Sequence, residues 1–162
     1  MLKADIKVTS DFTKEFNEIV KKFKNDAVLV GIPAEESARE AGAEINNATL
    51  LAINNFGSPA NNIPARPVMS IGMRNAQEAI AAEFKKAAQG ALTKGLSALR
   101  AYYERAGTIA SQAIKKAIND QEGFPGPAES TLAARASAGF RGTKSLVVTG
   151  QMRNSITYVV KE

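Results

Sequence analysis

Apolar positions recur along residues 12–23 with the spacing of a helix, and charged side chains stand between them. The apolar positions are Phe12, Phe16, Ile19, Val20 and Phe23. Steps of three and four residues put these side chains on one face, so the pattern predicts an amphipathic helix. Ser10 or Asp11 can cap its start, and its apolar face is expected to lie on a sheet.

Three segments have the composition of β-strands. Residues 3–8 alternate between polar and apolar, which is typical of a strand with one buried face. Residues 27–32 form a continuous apolar run that ends at Pro33, which favours a central strand covered on both faces. Residues 155–160 are rich in β-branched and aromatic side chains and predict a further strand. The chain is therefore expected to open as β-α-β.

Residues 70–120 show helical periodicity throughout. One apolar stripe consists of Ala76, Ile80, Phe84 and Ala87, and a second of Leu92, Leu96, Leu99, Tyr103, Ala106, Ala110, Ala113 and Ala117. Glycine weakens a helix interior, so a break at Gly90 or Gly95 predicts two long helices. The alanine-rich second stripe permits close approach of another helix, either within the chain or across a contact between subunits.

The remaining segments are less regular. Residues 34–47 are acidic and fit a surface helix, a loop or a hairpin; a short helix then ends at Gly57. Three prolines stiffen the turn at 58–67. Residues 121–145 contain a candidate helix at 128–138 and, like 34–47, are a candidate mobile or partner-ordered segment. We predict one α+β domain over 1–162, with a small, mostly antiparallel sheet flanked by the N-terminal helix and two long alanine-rich helices.

The composition excludes several classes of chemistry. The chain has no cysteine, histidine or tryptophan, so thiol nucleophiles, Cys/His zinc sites and histidine bases are ruled out. No constellation of Ser, Lys, Tyr or carboxylate residues has catalytic spacing. We therefore predict a protein that is not an enzyme, with no catalytic, cofactor-binding or metal-binding residues. The sequence has neither an apolar run long enough for a membrane span nor a signal-peptide pattern, which favours the cytoplasm.

Charge divides the chain into unlike halves. The net charge is +5, but residues 1–62 hold seven Lys and Arg against nine Asp and Glu, whereas residues 63–162 hold fourteen against seven. Four cations stand within an acid-free stretch at positions 135, 141, 144 and 153. Such a cluster fits a solvated surface, a protein interface or contact with a DNA backbone.

Three ordered motifs carry a resemblance to a known family. The first is NNFGS at 54–58 with IPARP at 63–67. The second combines Gly107 and AIKKAI at 113–118 with STLAAR at 130–135. The third is KSLVVTGQMRNSI at 144–156. In this order the motifs resemble those of the neck and tail-completion proteins of tailed bacteriophages, the minor tail protein Z-like family.

The resemblance implies a structural virion protein assembled in the cytoplasm of the host bacterium. Members of that family form rings, commonly of six copies, at the neck where the tail meets the capsid connector, around the channel for DNA. The implied partners are further copies of the chain, a tail tube or terminator protein, and a head-connector protein. A tail terminator remains an alternative, as does a basic protein that binds duplex DNA.

A ring requires one side of each subunit to complement a different side of the next, and the oppositely charged halves of the chain can supply this. The candidate interface residues are Phe56, Ile63, Arg66, Arg135, Arg141, Lys144 and Arg153. Arg141 and Lys144 are also the candidates for non-specific contact with genomic DNA. For the turn at 58–67, packing on the protein's own sheet is the alternative to an interface.

Overall fold

The computed structural model describes residues 12–39, 44–121, 123–147 and 149–162. The strand predicted at residues 3–8 and the caps at Ser10 or Asp11 lie outside the described residues. Within them the chain combines long helices with a small antiparallel sheet. The α+β class predicted from the sequence is confirmed.

Two long antiparallel helices form the body of the fold. Helix α3 spans Val68–Lys94 and α4 spans Leu99–Asp120. The chain turns between them at Gly95, which has a φ of 82°, and then makes a 3₁₀ turn, Leu96–Ala98. The predicted pair of helices is confirmed, with the break at Gly95; Gly90 lies inside α3, against the ring of Tyr102.

In the part of the chain that the structure describes, the sheet has two antiparallel strands, β1 at Ala27–Gly31 and β2 at Thr157–Lys161, with Leu29 opposite Val159. One face packs on α4, where the Tyr158 ring rests against the bare backbone of Gly107. On the other face Leu29 is 55% exposed and Val159 is also exposed. The prediction of a strand covered on both faces was wrong for β1, because the described helices cover only one side.

Helix α1 spans Thr13–Asn25 and packs mainly on the long helices. Ile19 is buried with Ala87 and Ala91 of α3. Phe23 meets Tyr103 of α4 edge to face, with ring centroids 6.0 Å apart. The predicted amphipathic helix is confirmed, and the apolar cluster that holds Ile19 also includes Val28 of β1 and Val160 of β2, so α1 shares a core with the sheet.

Three shorter helices complete the described fold. Helix α2 spans Asn47–Phe56, α5 spans Glu129–Ser137 and α6 spans Gln151–Asn154. The acidic segment forms a 3₁₀ turn, Ala34–Glu36, and the proline-rich turn contains another, Pro59–Asn61. The helices predicted before Gly57 and within 128–138 are therefore present.

The core has two parts. The first joins α2, α3, α4 and α6. Its buried members are Leu51, Val68, Ile114, Ile118, Met152 and Ile156. The second joins α1, α3 and α4 around Leu99 and Tyr103. Ala106, Ala110 and Ala117 are buried in the described chain, so the alanine stripe packs largely within the subunit. Leu92 was predicted to belong to this stripe, but its side chain is 61% exposed. Its position on α3, just before the break at Gly95, faces solvent.

A buried carboxylate links α3 to α4. Oε1 of Glu83 lies 2.6 Å from Nζ of Lys86, and Oε2 lies 2.8 Å from Nε of Arg105. The Arg105 guanidinium lies over the Tyr102 ring, 4.3 Å from its centroid. Hydrogen bonds from Lys86 and then Arg105 lower the pKa of Glu83 below its ordinary value of 4.5, despite the opposing effect of burial.

Glu83→Gln is expected to reduce the loss of stability in acid. Because the pKa of Glu83 is lower in the folded state, its contribution is present above pH 4.5 and disappears as pH falls through the folded value. Urea denaturation at pH 7 and pH 3 should therefore show a smaller difference for Glu83→Gln than for the unchanged protein. Glu78→Gln, on the exposed surface of α3, is the matched control and should keep the full difference. Equal pH dependence of both variants would contradict the assignment.

Candidate interface groove

Four segments of the chain line one large groove of about 1130 Å³. They lie within residues 45–56, 57–66, 126–135 and, on either side of position 148, residues 145–146 and 149–152; Arg39 lies at the groove as well. Most of the lining side chains are apolar. Pockets for small molecules typically have volumes of about 300–1,000 Å³, so this groove has room for a protein segment. Parts of all three sequence motifs meet here.

The first motif is largely explained by contacts within the chain. The carbonyl of Asn54 accepts a hydrogen bond of 2.8 Å from the amide of Arg66. Oδ1 of buried Asn55 accepts one of 3.1 Å from the amide of Met69, in the first turn of α3. Gly57 has a positive φ, and a Cβ there would lie 2.8 Å from the amide nitrogen of Ala65. These residues therefore hold the end of α2 against the start of α3.

The proline-rich turn is closed by its own backbone. Ser58 and Ile63 pair across an isolated antiparallel bridge, with hydrogen bonds of 2.8 and 3.0 Å. Nδ2 of Asn61 donates to Oγ of Ser58 at 2.8 Å, and Asn62 completes the turn in the left-handed region. The predicted stiff turn is present, and it lines the groove.

Phe56 is the part of this motif that the described chain leaves without a packing role. Its side chain is 78% exposed at the groove, where Ile63 is half-buried. A large apolar side chain beside an apolar groove is typical of an interaction site. Both residues were predicted as interface candidates, and the fold brings them to one place.

Arg66 was predicted to be an interface residue, but its side chain is deeply buried. It is 8% exposed. Its Nε donates to the carbonyl of Pro125 at 3.1 Å, and its Nη2 donates to that of Gly126 at 3.2 Å. Burial, and next the nearby positive charge of Arg135, lower the pKa of Arg66 below its ordinary value. Arg66 thus joins the proline-rich turn to the segment before α5.

The predicted basic cluster does not form one continuous free surface. Nη1 of Arg135 donates to the carbonyl of Lys144 at 2.8 Å. Nζ of Lys144 donates to the carbonyl of Asn119 at 2.7 Å, and Nη1 of Arg153 donates to Oδ1 of Asn119 at 2.8 Å. Cations near the last carbonyls of a helix are favoured by its dipole. Lys144 therefore attaches the segment that follows α5 to the end of α4, and Arg153 attaches α6 to it.

Arg141 lies apart from the groove. It is exposed beside Phe140 and lines two small depressions between α5 and the residues that follow it. It makes no hydrogen bond or ion pair with the described residues. Arg141 thus keeps the exposure that a contact with DNA requires, whereas the ammonium group of Lys144 is already hydrogen-bonded.

Sequence reasoning missed several polar residues that hold the groove together. Nδ2 of Asn47 donates to the carbonyl of Ala38 at 2.9 Å and to Oγ of Ser155 at 3.2 Å. Oε1 of Gln121 accepts a bond of 2.7 Å from the amide of buried Ser145. The one signal for Asn47 was its neighbour Asn46, which caps α2 by accepting from the amide of Thr49. The hydrogen bonds that Asn47 and Gln121 make to Ser155 and Ser145 join residues that are far apart in the sequence.

In the described parts of the chain, no group of three or more His, Cys, Asp or Glu residues is arranged to hold a metal ion. No helix among them is long and apolar enough to cross a membrane. Comparisons with protein-family models, with curated proteins and with solved structures gave no match. Function is therefore argued from the sequence motifs and the groove.

Proposed function

We propose that the chain is a structural subunit of a tailed bacteriophage or prophage. In this role it forms a ring, of six copies in the resembled family, at the neck and completes the tail. The ring joins the tail to the head connector around the DNA channel. This role needs interaction surfaces and no catalytic machinery. It accounts for a groove lined by parts of all three resembled motifs.

The observation that carries the proposal is the exposure of Phe56. Its neighbours Asn54, Asn55 and Gly57 have roles within the subunit, whereas Phe56 is 78% exposed at the groove. A buried aromatic anchor contributes strongly to protein interfaces. A turn held by its own hydrogen bonds also loses little conformational entropy when it docks. Phe56 is therefore assigned to the contact with the next subunit or with a neighbouring ring.

Deletion of the gene from its phage or prophage tests this role. We expect negative-stain microscopy of the lysate to show DNA-filled heads separate from tails of normal length, with infectivity restored by the wild-type gene. Overlong tails would instead assign a tail terminator. Intact infectious virions would overturn both structural roles, and salt-dependent binding of duplex DNA would then test the remaining alternative.

Complementation of the deletion identifies the contribution of Phe56. Phe56→Asp places a charge on the proposed contact and is expected to lower the yield of infectious virions at least tenfold without unfolding the subunit. Leu92→Asp is the matched control, because Leu92 is also an exposed apolar residue but lies on α3 away from the groove. Circular dichroism checks the fold of both variants. Full complementation by Phe56→Asp would remove Phe56 from the interface.

A further inference from the structure

Arg66 and Arg135 of the groove have no acidic partner among the residues that the structure describes. Arg66 is more than nine-tenths buried, and its bonds to described residues go to the main-chain carbonyls of Pro125 and Gly126. Arg135 is close enough to act on it electrostatically and likewise donates to carbonyl oxygens. Neither forms an ion pair with any carboxylate among the described residues. Buried charges are normally paired, so the described part of this site lacks a negative charge.

The other described lining residues of the groove do not supply a negative charge. None of its described lining residues is an aspartate or a glutamate, and Arg39 adds a third cation. Apolar side chains, including Phe56 and Ile63, lie beside these cations. The groove therefore suits a segment that carries at least one carboxylate and some small or apolar residues.

The same chain presents such a segment. Glu35 and Glu36 are exposed on the 3₁₀ turn Ala34–Glu36, and neither forms an ion pair within the described chain. Oγ of Ser37 donates to the carbonyl of Ala34 at 2.6 Å, and the carbonyl of Ser37 accepts from the amide of Asn47 at 2.8 Å. These two hydrogen bonds hold the turn within its own subunit, which lowers the entropic cost of docking.

We propose that Arg66 and Arg135 of one copy bind Glu35 or Glu36 of a second copy. Arginine and carboxylate form strong, geometrically specific hydrogen bonds. Residues 34–36 do not line the groove, so one copy can offer its acidic turn to a second copy while its own groove receives the turn of a third, as a closed ring requires. The inference rests on the proposed ring and names the contact that would build it.

Disulfide trapping can test the contact because the chain has no native cysteine. Ala34→Cys keeps both glutamates, and Thr131→Cys places a thiol on the α5 wall of the groove. The two variants are purified separately, mixed under mild oxidation and distinguished by a mass tag on one of them. We expect at least tenfold more mixed dimer than for Ala34→Cys mixed with Lys94→Cys, an exposed control at the end of α3.

Charge reversal identifies the groups involved. Adding Glu35→Lys and Glu36→Lys to the Ala34→Cys chain should reduce trapping to the level of the control. Adding Arg135→Glu to the Thr131→Cys chain should restore trapping with that reversed partner, provided circular dichroism shows both chains folded. Lack of restoration by two folded chains would contradict an ionic contact at Arg135.

Sedimentation equilibrium of the unchanged protein separates failure of the contact from failure of the ring. Oligomers without trapping above the control would overturn the contact and leave the ring in place. Trapping with dimers alone would support the contact and contradict the ring. A monomer without trapping would contradict both, and an acidic segment of another protein would then be the next occupant to test.

Discussion

Replacing Ile118 with alanine is expected to lower the free energy of unfolding by about 4 kcal/mol. The side chain is completely buried where α4 meets α2, α3 and α6. Truncation removes buried methyl groups and leaves a cavity, and such changes cost about 2–5 kcal/mol. Urea denaturation followed by circular dichroism should show a lower midpoint with an unchanged slope.

Leu92→Ala provides the matched comparison. It also shortens an aliphatic side chain on a long helix, but Leu92 is 61% exposed, so we expect a change within about 0.5 kcal/mol. A loss as large as that of Ile118→Ala would mean that Leu92 is covered in solution. Leu92 would then belong to the apolar stripe predicted from the sequence.

The local periodicity of apolar residues was enough to predict most of the helices and both strands of the described sheet. It reports which face of an element is apolar, and α1, α3, α4 and β2 follow it closely. It does not report which elements meet. Phe12 and Phe16 share the stripe of Ile19, yet both are exposed and only Ile19 is buried. The two-stranded sheet likewise has a packed face and an open face that a continuous apolar run cannot distinguish.

The groove depends on contacts between distant parts of the chain. Arg66 bonds to carbonyls about sixty positions later, and Lys144 bonds to the end of α4. The sequence made Arg66 and Lys144 candidates for an interface, and side chains of these types are rarely buried. It gave no reason to expect their carbonyl partners. Phe56 and Ile63 were identified from their place in a motif, and only the fold shows that they share a groove.

The crossing of α3 and α4 is the second position where a single change should have a large effect. A Cβ at Gly72 would lie 2.6 Å from Cα and 2.7 Å from the amide nitrogen of Ile114. These are backbone atoms, so no rotation of a side chain can make room. Gly72→Ala therefore requires the two helices to move apart.

We expect Gly72→Ala to lower the free energy of unfolding by about 2 kcal/mol. Overpacking typically costs about 1–3 kcal/mol and occasionally more, and a backbone clash belongs at the upper end. The higher helix propensity of alanine offsets about 1 kcal/mol of this cost. Gly31→Ala is the control, because no atom lies within 4 Å of the Cβ it would add.

The two variants together test how closely the helices approach. If Gly72→Ala were as stable as the unchanged protein, or more so, α3 and α4 would have to be farther apart in solution than this packing requires. If Gly31→Ala alone were destabilised, the sheet and not the helix crossing would be the part that tolerates no added methyl group. A loss confined to Gly72→Ala would make the α3–α4 contact the fixed frame from which α2 and the groove are positioned, since α3 begins directly after the turn that carries Ile63.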